Sequence, residues 1–463
     1  MNDAFPNSLS LSLHSRSMGL KLILVCCLAL LMLIPAIFVW ALVGDRKQRE
    51  SHVIGQIGAQ VGGSQTFLGP TLAVPYTVPQ SPAQPAASGM YLVFPSQASA
   101  VVKTSTSERR RSIFRVPVFQ ADLQLQSAFN LAGVPSAAPP NAQLDWTRAE
   151  ILVGVSNPRG ALSDALLTID GKTVPLAPAR IAQTLPLNGP RDSQSQLVLL
   201  GAPASIAAPN ARFSVSSSLR FSGARHISLL AWGKTTHVAM QGDWPSPGFN
   251  GGFLPVTSAI APHGFTAAWS VPFIARGVPA QGPATSMAAL GATALGVSFV
   301  EVADPYQSVV RALKYIPLFL GLVFLCYFIF EVTTGKRVHP AQYILVGIAQ
   351  IIFYLLLLSL AERIGFGLGF LFAGVATVIL LSANAGWIFA SRAHGFRALA
   401  VFSPLYLLIY LLLRLQDNAL LVGALASFAA VAAAMYLTRR IDWYSSLPPA
   451  ASSSALPGAA HEQ

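Results

Sequence analysis

A chain of 463 residues that is 53% hydrophobic and only 10% charged has the composition of an integral membrane protein, not of a soluble globular one. Its net charge of +12 would suit nucleic acid in a soluble protein, but basic membrane-flanking loops and a mildly basic soluble domain account for it, and no nucleic-acid partner is expected. The three cysteines, Cys26, Cys27 and Cys326, all lie in apolar runs, which excludes a disulfide framework or a thiol metal site in the polar middle of the chain.

Residues 1–17 are polar and Ser-rich and read as a cytoplasmic N-terminal segment. Residues 18–43 form the first apolar run, interrupted by Lys21 and Pro35. It is too long for a signal-peptide core and no small-x-small cleavage site follows it, so it is expected to stay as a signal anchor.

From Gly44 to about Gln307 the pattern turns polar, with many Pro and Gly. Leu123-Gln124-Leu125-Gln126 and Phe213-Ser214-Val215-Ser216 alternate with the period of a strand buried on one face. Further strands are expected at Thr71–Tyr76, Met90–Phe94, Ile113–Phe119, Glu150–Val155, Gln196–Leu200, His226–Leu230, Thr236–Met240, Phe265–Trp269 and Gly296–Val302. Turn clusters such as Asn157-Pro158-Arg159-Gly160 and Asp170-Gly171-Lys172 separate them. Many short strands without a long amphipathic helix predict an all-β sandwich or barrel. Thr77–Gly89 and Gly277–Gly291, rich in Pro, Ala and Gly, read as loops.

Five further apolar runs follow, Ile316–Val332, Tyr343–Leu360, Gly365–Ala390, Ala398–Leu413 and Ala419–Leu437, each near the length of a bilayer span. The fold expected is therefore an α+β membrane protein with six transmembrane helices, one N-terminal and five C-terminal. The domains are residues 18–43 as the first span, 44–310 as a β-rich domain outside the cytoplasmic membrane (periplasmic if the source is a Gram-negative cell), 311–440 as a five-helix block, and 441–463 as a flexible cytoplasmic tail. With the N-terminus inside, the inner loops carry Lys336, Arg337, Arg392, Arg397, Arg439 and Arg440, and the outer ones only Arg363 and Arg414. That asymmetry places both termini in the cytoplasm.

Polar groups cluster in the turn Phe330–Gly347, with Glu331, Lys336, Arg337, His339, Pro340, Gln342 and Tyr343, and in the terminal motif Arg439, Arg440, Asp442 and Trp443. A carboxylate at the edge of the hydrocarbon needs a partner, so a contact between Glu331 and a neighbouring arginine is expected. These groups read first as basic anchors to anionic headgroups, with Trp443 and Tyr444 as interfacial aromatics, and a ligand or proton site is the functional alternative. No acidic residue falls near the middle of a span, which argues against an ion-coupled pump. In the polar domain there is no G-x-S-x-G elbow, no H-E-x-x-H and no phosphate-binding Gly loop. His52, His226, His237 and His263 are dispersed, and no catalytic, cofactor or metal residue is assigned. Arg109-Arg110-Arg111 with Lys103 and Arg115 is a basic run beside a strand, and the segment from Asp243 to Phe249 reads as a packed corner.

These residues carry a resemblance. Gly69-Pro70 with Leu72–Pro75, Trp244-Pro245 to Pro255, Lys314-Tyr315, Phe330-Glu331, Arg337-Val338-His339-Pro340, Gln342-Tyr343, Glu362 and Thr438–Tyr444 together resemble the CreD family of bacterial inner-membrane proteins over nearly the whole chain. The resemblance implies one N-terminal span, a large periplasmic domain and a helical block. It also implies an effector role under a two-component regulatory system, linked to envelope integrity and to responses to colicins and β-lactams, with no catalytic residues to carry over. The function expected is a non-enzymatic envelope-stress protein, with membrane lipid and a periplasmic or envelope protein as partners. A transporter or lipid-handling protein and an envelope hydrolase are the alternatives.

Overall fold

A computed structural model describes residues 18–79, 87–111, 114–134, 138, 141–188, 194–204, 206, 211–299, 305–336, 338–414 and 419–439. The chain divides into a helical unit, Met1–Lys47 with Ala303–Gln463, and a β unit, Gln48–Val302.

The N-terminal apolar run forms helices α1 (Met18–Leu31) and α2 (Leu33–Gln60), broken at Met32. Pro35 supplies the cause, because its ring displaces the Leu31 carbonyl and it has no N–H to give it. Helix α2 does not stop at the end of the apolar run, where the sequence placed the start of the β domain. It continues to Gln60 because Val53, Ile54 and Ile57 recur at helical spacing and pack, with Val61, against Val116 and Ala224 of the β unit.

The β unit is a sandwich of two sheets around one core. The eleven-stranded sheet has the order Thr184–Asn188, Gln194–Pro203, Glu150–Val155, Gln65–Val78, His226–Leu230, Ala294–Phe299 and Pro247–Gly251, with four short strands attached. The eight-stranded sheet runs Thr257–Ala261, Gly264–Val271, Thr235–Gly242, Gln97–Arg111, Phe114–Asn130, Arg212–Ala224, Leu166–Ile169 and Lys172–Pro175. Strand Phe114–Asn130 alternates as its sequence demands, with Leu123, Leu125 and Phe129 inward and Asp122, Gln124 and Gln126 outward. Strand Gln65–Val78 is buried along most of its length, which is why its apolar residues do not follow period two.

The Gly69-Pro70 pair has a structural reason. The register against Glu150–Val155 shifts between Leu68 and Thr71, and a side chain at Gly69 would have its Cβ 2.2 Å from the Trp232 indole. Trp232 is fully buried and its Nε1 donates to Ser127 Oγ at 2.9 Å, which in turn donates to the Pro70 carbonyl at 3.0 Å. A bulge, an indole and a hydroxyl thus join the two sheets without leaving a polar atom unpaired.

Two readings change. Gly277–Gly291 is not a plain loop: after the short helix α3 (Phe273–Arg276) comes the strand Gln281–Pro283, paired with Ala87–Val93, and then a 3₁₀ helix, Ala284–Thr293. Met287 and Leu290 are fully buried. Residues three apart eclipse on a 3₁₀ helix, so two apolar side chains suffice to dock an Ala/Gly-rich segment. The basic run, in turn, lies within the strand Gln97–Arg111 and not beside one, with Arg109, Arg110 and Arg111 paired to Val116, Arg115 and Phe114. Its inward residues, Ala98, Ala100 and Val102, are too small to give a strong alternating signal. Of Thr77–Gly89, Thr77 and Val78 pair with Ser88 and Ala87, and residues 80–86 lie outside the described residues. The corner at Trp244 is packed as expected: Trp244 meets Phe299 edge-on and Asp243 accepts from the Thr106 N–H and hydroxyl.

The helical unit resumes with α4 (Pro305–Lys314), whose buried Tyr306, Val309, Ala312 and Leu313 form one stripe. It continues with α5 (Ile316–Thr334), α6 (Pro340–Ile364), α7 (Phe366–Ile388), α8 (Arg392–Arg414) and α9 (Ala419–Thr438). The α1–α2 rod and α5 to α8 are long and apolar enough to cross a membrane, five candidate spans among the described residues, while α9 carries the shorter apolar stretch Leu421–Ala433. Ile23, Phe38, Phe372 and Ile379 point outward, as lipid-facing side chains do.

Substituting Gly69→Ala is expected to cost at least about 1–3 kcal/mol, since neither the bulge nor the Trp232 ring can give way without breaking the Ser127 bridge; thermal unfolding followed by tryptophan fluorescence checks it. Burial holds the His226 imidazole below its ordinary value of 6.5. The unfolded chain then takes up a proton that the folded domain does not, so stability falls as pH drops through and below 6.5 and is unaffected above it. Comparison of wild type with His226→Gln across pH 5 to 8 is expected to show a slope difference of up to about 1.4 kcal/mol per pH unit inside that window.

Candidate functional site

The turn between α5 and α6 is set by its own residues. Gly335, at φ 65°, ends α5 in the left-handed conformation. His339 caps α6, its Nδ1 accepting the Ala341 N–H at 3.2 Å, and Pro340 occupies the first helical turn. Lys336 reaches the Phe389 carbonyl at 2.6 Å, at the C-terminal end of α7, where a cation is favoured.

Glu331, on the last turn of α5, is buried at 4% exposure. Its Oε1 accepts the Val338 N–H at 2.7 Å and its Oε2 accepts the Tyr343 hydroxyl at 2.9 Å. Its cation is Lys21 of α1, which ion-pairs with Oε1. Among the described residues the cation is thus a lysine of the first helix, where the sequence leads us to expect an arginine of the turn or the terminal motif. Arg439 is exposed and stacks on Tyr436, 4.0 Å from the ring centroid; Arg337, Arg440, Asp442 and Trp443 lie outside the described residues. Lys21 looked like an interruption of an apolar run because nothing local pairs with it, and its partner is 310 positions away.

Tyr343 carries the contact inward. It meets Phe324 and Tyr327 edge-on, and Tyr327 donates to the Leu381 carbonyl at 2.7 Å, accepts from Asn384 and stacks on Phe402. One polar and aromatic chain therefore ties α1, α5, α6, α7 and α8 together. Gln342 contributes a backbone bond to His339, and no side-chain bond of it is seen among the described residues.

Glu362, at the other end of α6, has a matching arrangement. It accepts the Tyr306 hydroxyl of α4 at 2.9 Å, and Arg46 of α2 stands 3.9 Å from its other oxygen. The N-terminal rod thus supplies a cation to each carboxylate. Twenty-five residues of helix separate Lys21 from Arg46, about 37 Å at 1.5 Å per residue, which lies between the thickness of the hydrocarbon core and that of the whole bilayer. Midway, Gly347 of α6 faces Met32, and a Cβ there would lie 2.5 Å from Met32 Cγ. The missing side chain lets the broken rod lie close against α6.

With acceptors and donors matched, the Glu331 carboxylate is a neutralised structural acceptor and not a reactive base. Among the described residues a serine–histidine contact occurs in the β unit, where Ser298 Oγ lies 3.2 Å from His226 Nδ1 and takes a hydrogen bond from Asn250. The imidazole also bonds the Val297 backbone and not a carboxylate. No group of three His, Cys, Asp or Glu suited to a metal ion occurs among the described residues.

Comparisons with known proteins agree with this architecture. A family model described as "Inner membrane protein CreD" matches residues 17–444. The Inner membrane protein CreD of Escherichia coli strain K12 is 28% identical over 438 residues, covering 90% of this chain and 92% of that protein.

Replacing Glu331 by Ala leaves the ammonium of Lys21, the Val338 N–H and the Tyr343 hydroxyl without their acceptor, and is expected to destabilise the helical unit by about 3–5 kcal/mol. Arg392→Ala, at an exposed site, is expected to stay within about 0.5 kcal/mol, and Lys21→Met with Glu331→Leu is expected to recover only the part due to the unpaired ammonium, since the Val338 N–H and the Tyr343 hydroxyl still lack their acceptor. Unfolding of the lipid-reconstituted protein measures all three.

Proposed function

Because this chain belongs to the CreD family of inner membrane proteins, we propose that it is a non-enzymatic envelope-stress protein whose β domain acts in the periplasm while the helical block holds it in the inner membrane with both termini cytoplasmic. The observation that carries this reading is the ion-paired packing of the described helices. One cavity among them, lined by Gln350, Tyr354 and Tyr406 among others, has a volume of only about 10 Å³, room for about one water. An ion-paired block suits an anchor better than a transport path, which counts against the transporter alternative. What is left to act is the β domain, with its wide solvent-facing sheet.

Among the described residues, the Ser298–His226 hydrogen bond is the feature that favours a hydrolase. It lacks an orienting carboxylate, and its two members are direct cross-strand partners, an arrangement that a sheet produces without any catalytic purpose.

Single cysteines placed at Ser258 in the β domain and at Ser391 in the α7–α8 turn test the orientation, with Cys26, Cys27 and Cys326 replaced. A membrane-impermeant maleimide is expected to label Cys at 258 in intact cells and Cys at 391 only after permeabilisation; the reverse pattern would overturn the topology. In cells lacking the gene, a chain without a working β domain is expected to insert and yet fail to restore tolerance of envelope-damaging agents. Labelling of Ser298 by a fluorophosphonate, abolished in Ser298→Ala, would move the protein to the hydrolase class.

A further inference from the structure

The outward face of the eight-stranded sheet is not uniform. At one level five consecutive strands place polar residues side by side: His237 opposite Ser99, Ser99 opposite Gln126, Gln126 opposite Ser216, and Ser216 opposite Thr168. With neighbouring strands about 4.8 Å apart, this row is about 19 Å long. It forms the floor of a cleft of about 440 Å³, within the size range of small-molecule sites. The hairpin turn after Thr168 walls one end. Asp170 and Gly171 take φ values of 44° and 88° there, the pattern of a tight hairpin turn. The turn is pinned to the sheet because Asp170 Oδ1 accepts the Ser214 N–H at 2.9 Å.

The chemistry of the floor selects an occupant. No Lys or Arg lines the cleft, and its single carboxylate is engaged by Ser214, so it offers nothing to a phosphate or sulfate polymer. No large apolar side chain lines it either, so it lacks the anchor pocket of a protein interface and the greasy wall of a lipid site. What it does offer is neutral hydrogen-bonding capacity. Ser99 donates to Gln126 Oε1 at 3.4 Å, which leaves the Gln126 amide N–H groups unspent, and Thr168 pairs with Thr173 at the end of the row, while the side chains of Ser216 and His237 make no hydrogen bond among the described residues. An amide, a hydroxyl and an imidazole, each able to donate or accept and held at strand spacing, match a ligand whose hydroxyl and amide groups recur along a line.

We propose that this cleft binds a neutral carbohydrate chain, laid across the strands along the His237–Thr168 row. The inference rests on the reading of the β domain as the acting part and gives that part a ligand class.

The test uses the full-length chain in lipid nanodiscs, which keeps sugar-headed detergents out of the measurement, and isothermal titration with chitin tetraose. Saturable binding is expected, weakened about tenfold or more by Gln126→Ala combined with Ser216→Ala, the loss of one to two hydrogen bonds. Both positions are exposed, so the fold is retained, and Ser258→Ala on the edge strand is expected to bind as wild type does. Absence of saturable binding, equal binding by the double variant, or tighter binding of a heparin tetrasaccharide overturns the proposal. The same double variant assayed for tolerance of envelope damage separates the two ideas. Lost tolerance without any carbohydrate binding in the wild type sinks the carbohydrate assignment and leaves the acting β domain in place. Carbohydrate binding with full tolerance in the double variant keeps the site and removes it from that function.

Discussion

The helical unit depends on one requirement: a carboxylate at the edge of hydrocarbon must be neutralised and fully hydrogen-bonded. Glu331 meets it with an ammonium, a backbone N–H and a phenol drawn from α1, the α5–α6 turn and α6. Because each donor comes from a different segment, satisfying the charge fixes the mutual position of those segments. The second carboxylate, Glu362, repeats the arrangement at the other end of α6 with Tyr306 and Arg46. Between the two, apolar packing has no directional preference in lipid, so the ionic ends and the Gly347–Met32 contact supply the register that hydrophobicity cannot.

The β unit solves a different problem. It has no disulfide and must hold two large sheets together by packing alone. Its central strand is buried on both faces, and the close approach of Trp232 to Gly69 locks the sheets at a point where a bulge already interrupts the ladder. The hydroxyl of Ser127, which accepts a hydrogen bond from the indole N–H and donates one to the Pro70 carbonyl, keeps the polar atoms of that interior contact paired. The outer face of the other sheet is then free to be shaped by solvent and ligand and not by the core.

Family membership gives the two units a common setting, the inner membrane, and leaves the chemistry to the residues. The two carboxylates of the helical unit that pair with α1–α2 are both spent on structure. The row from His237 to Thr168 has unspent donors and acceptors, which is the physical difference between a clamp and a binding surface.

The chain by itself determined which stretches form long apolar helices, because about twenty consecutive apolar residues suit a membrane span, and it determined the strands whose inward residues are large. Glu150–Val155 and His226–Leu230 were legible to the residue for that reason, whereas the α5–α6 turn was legible as a turn but not in its limits: the apolar runs stop at Val332 and resume at Tyr343, while the helices extend to Thr334 and start at Pro340. The Gly69-Pro70 and Phe330–Tyr343 motifs were legible as markers but not as contacts. Only the tertiary structure decided that Lys21 is the partner of Glu331, that α2 runs on to Gln60, that an Ala/Gly-rich stretch winds into a 3₁₀ helix, and that five polar residues from five strands form one row. Each of these rests on groups far apart in sequence, where local propensity is weak and pairing, burial and strand register choose the outcome.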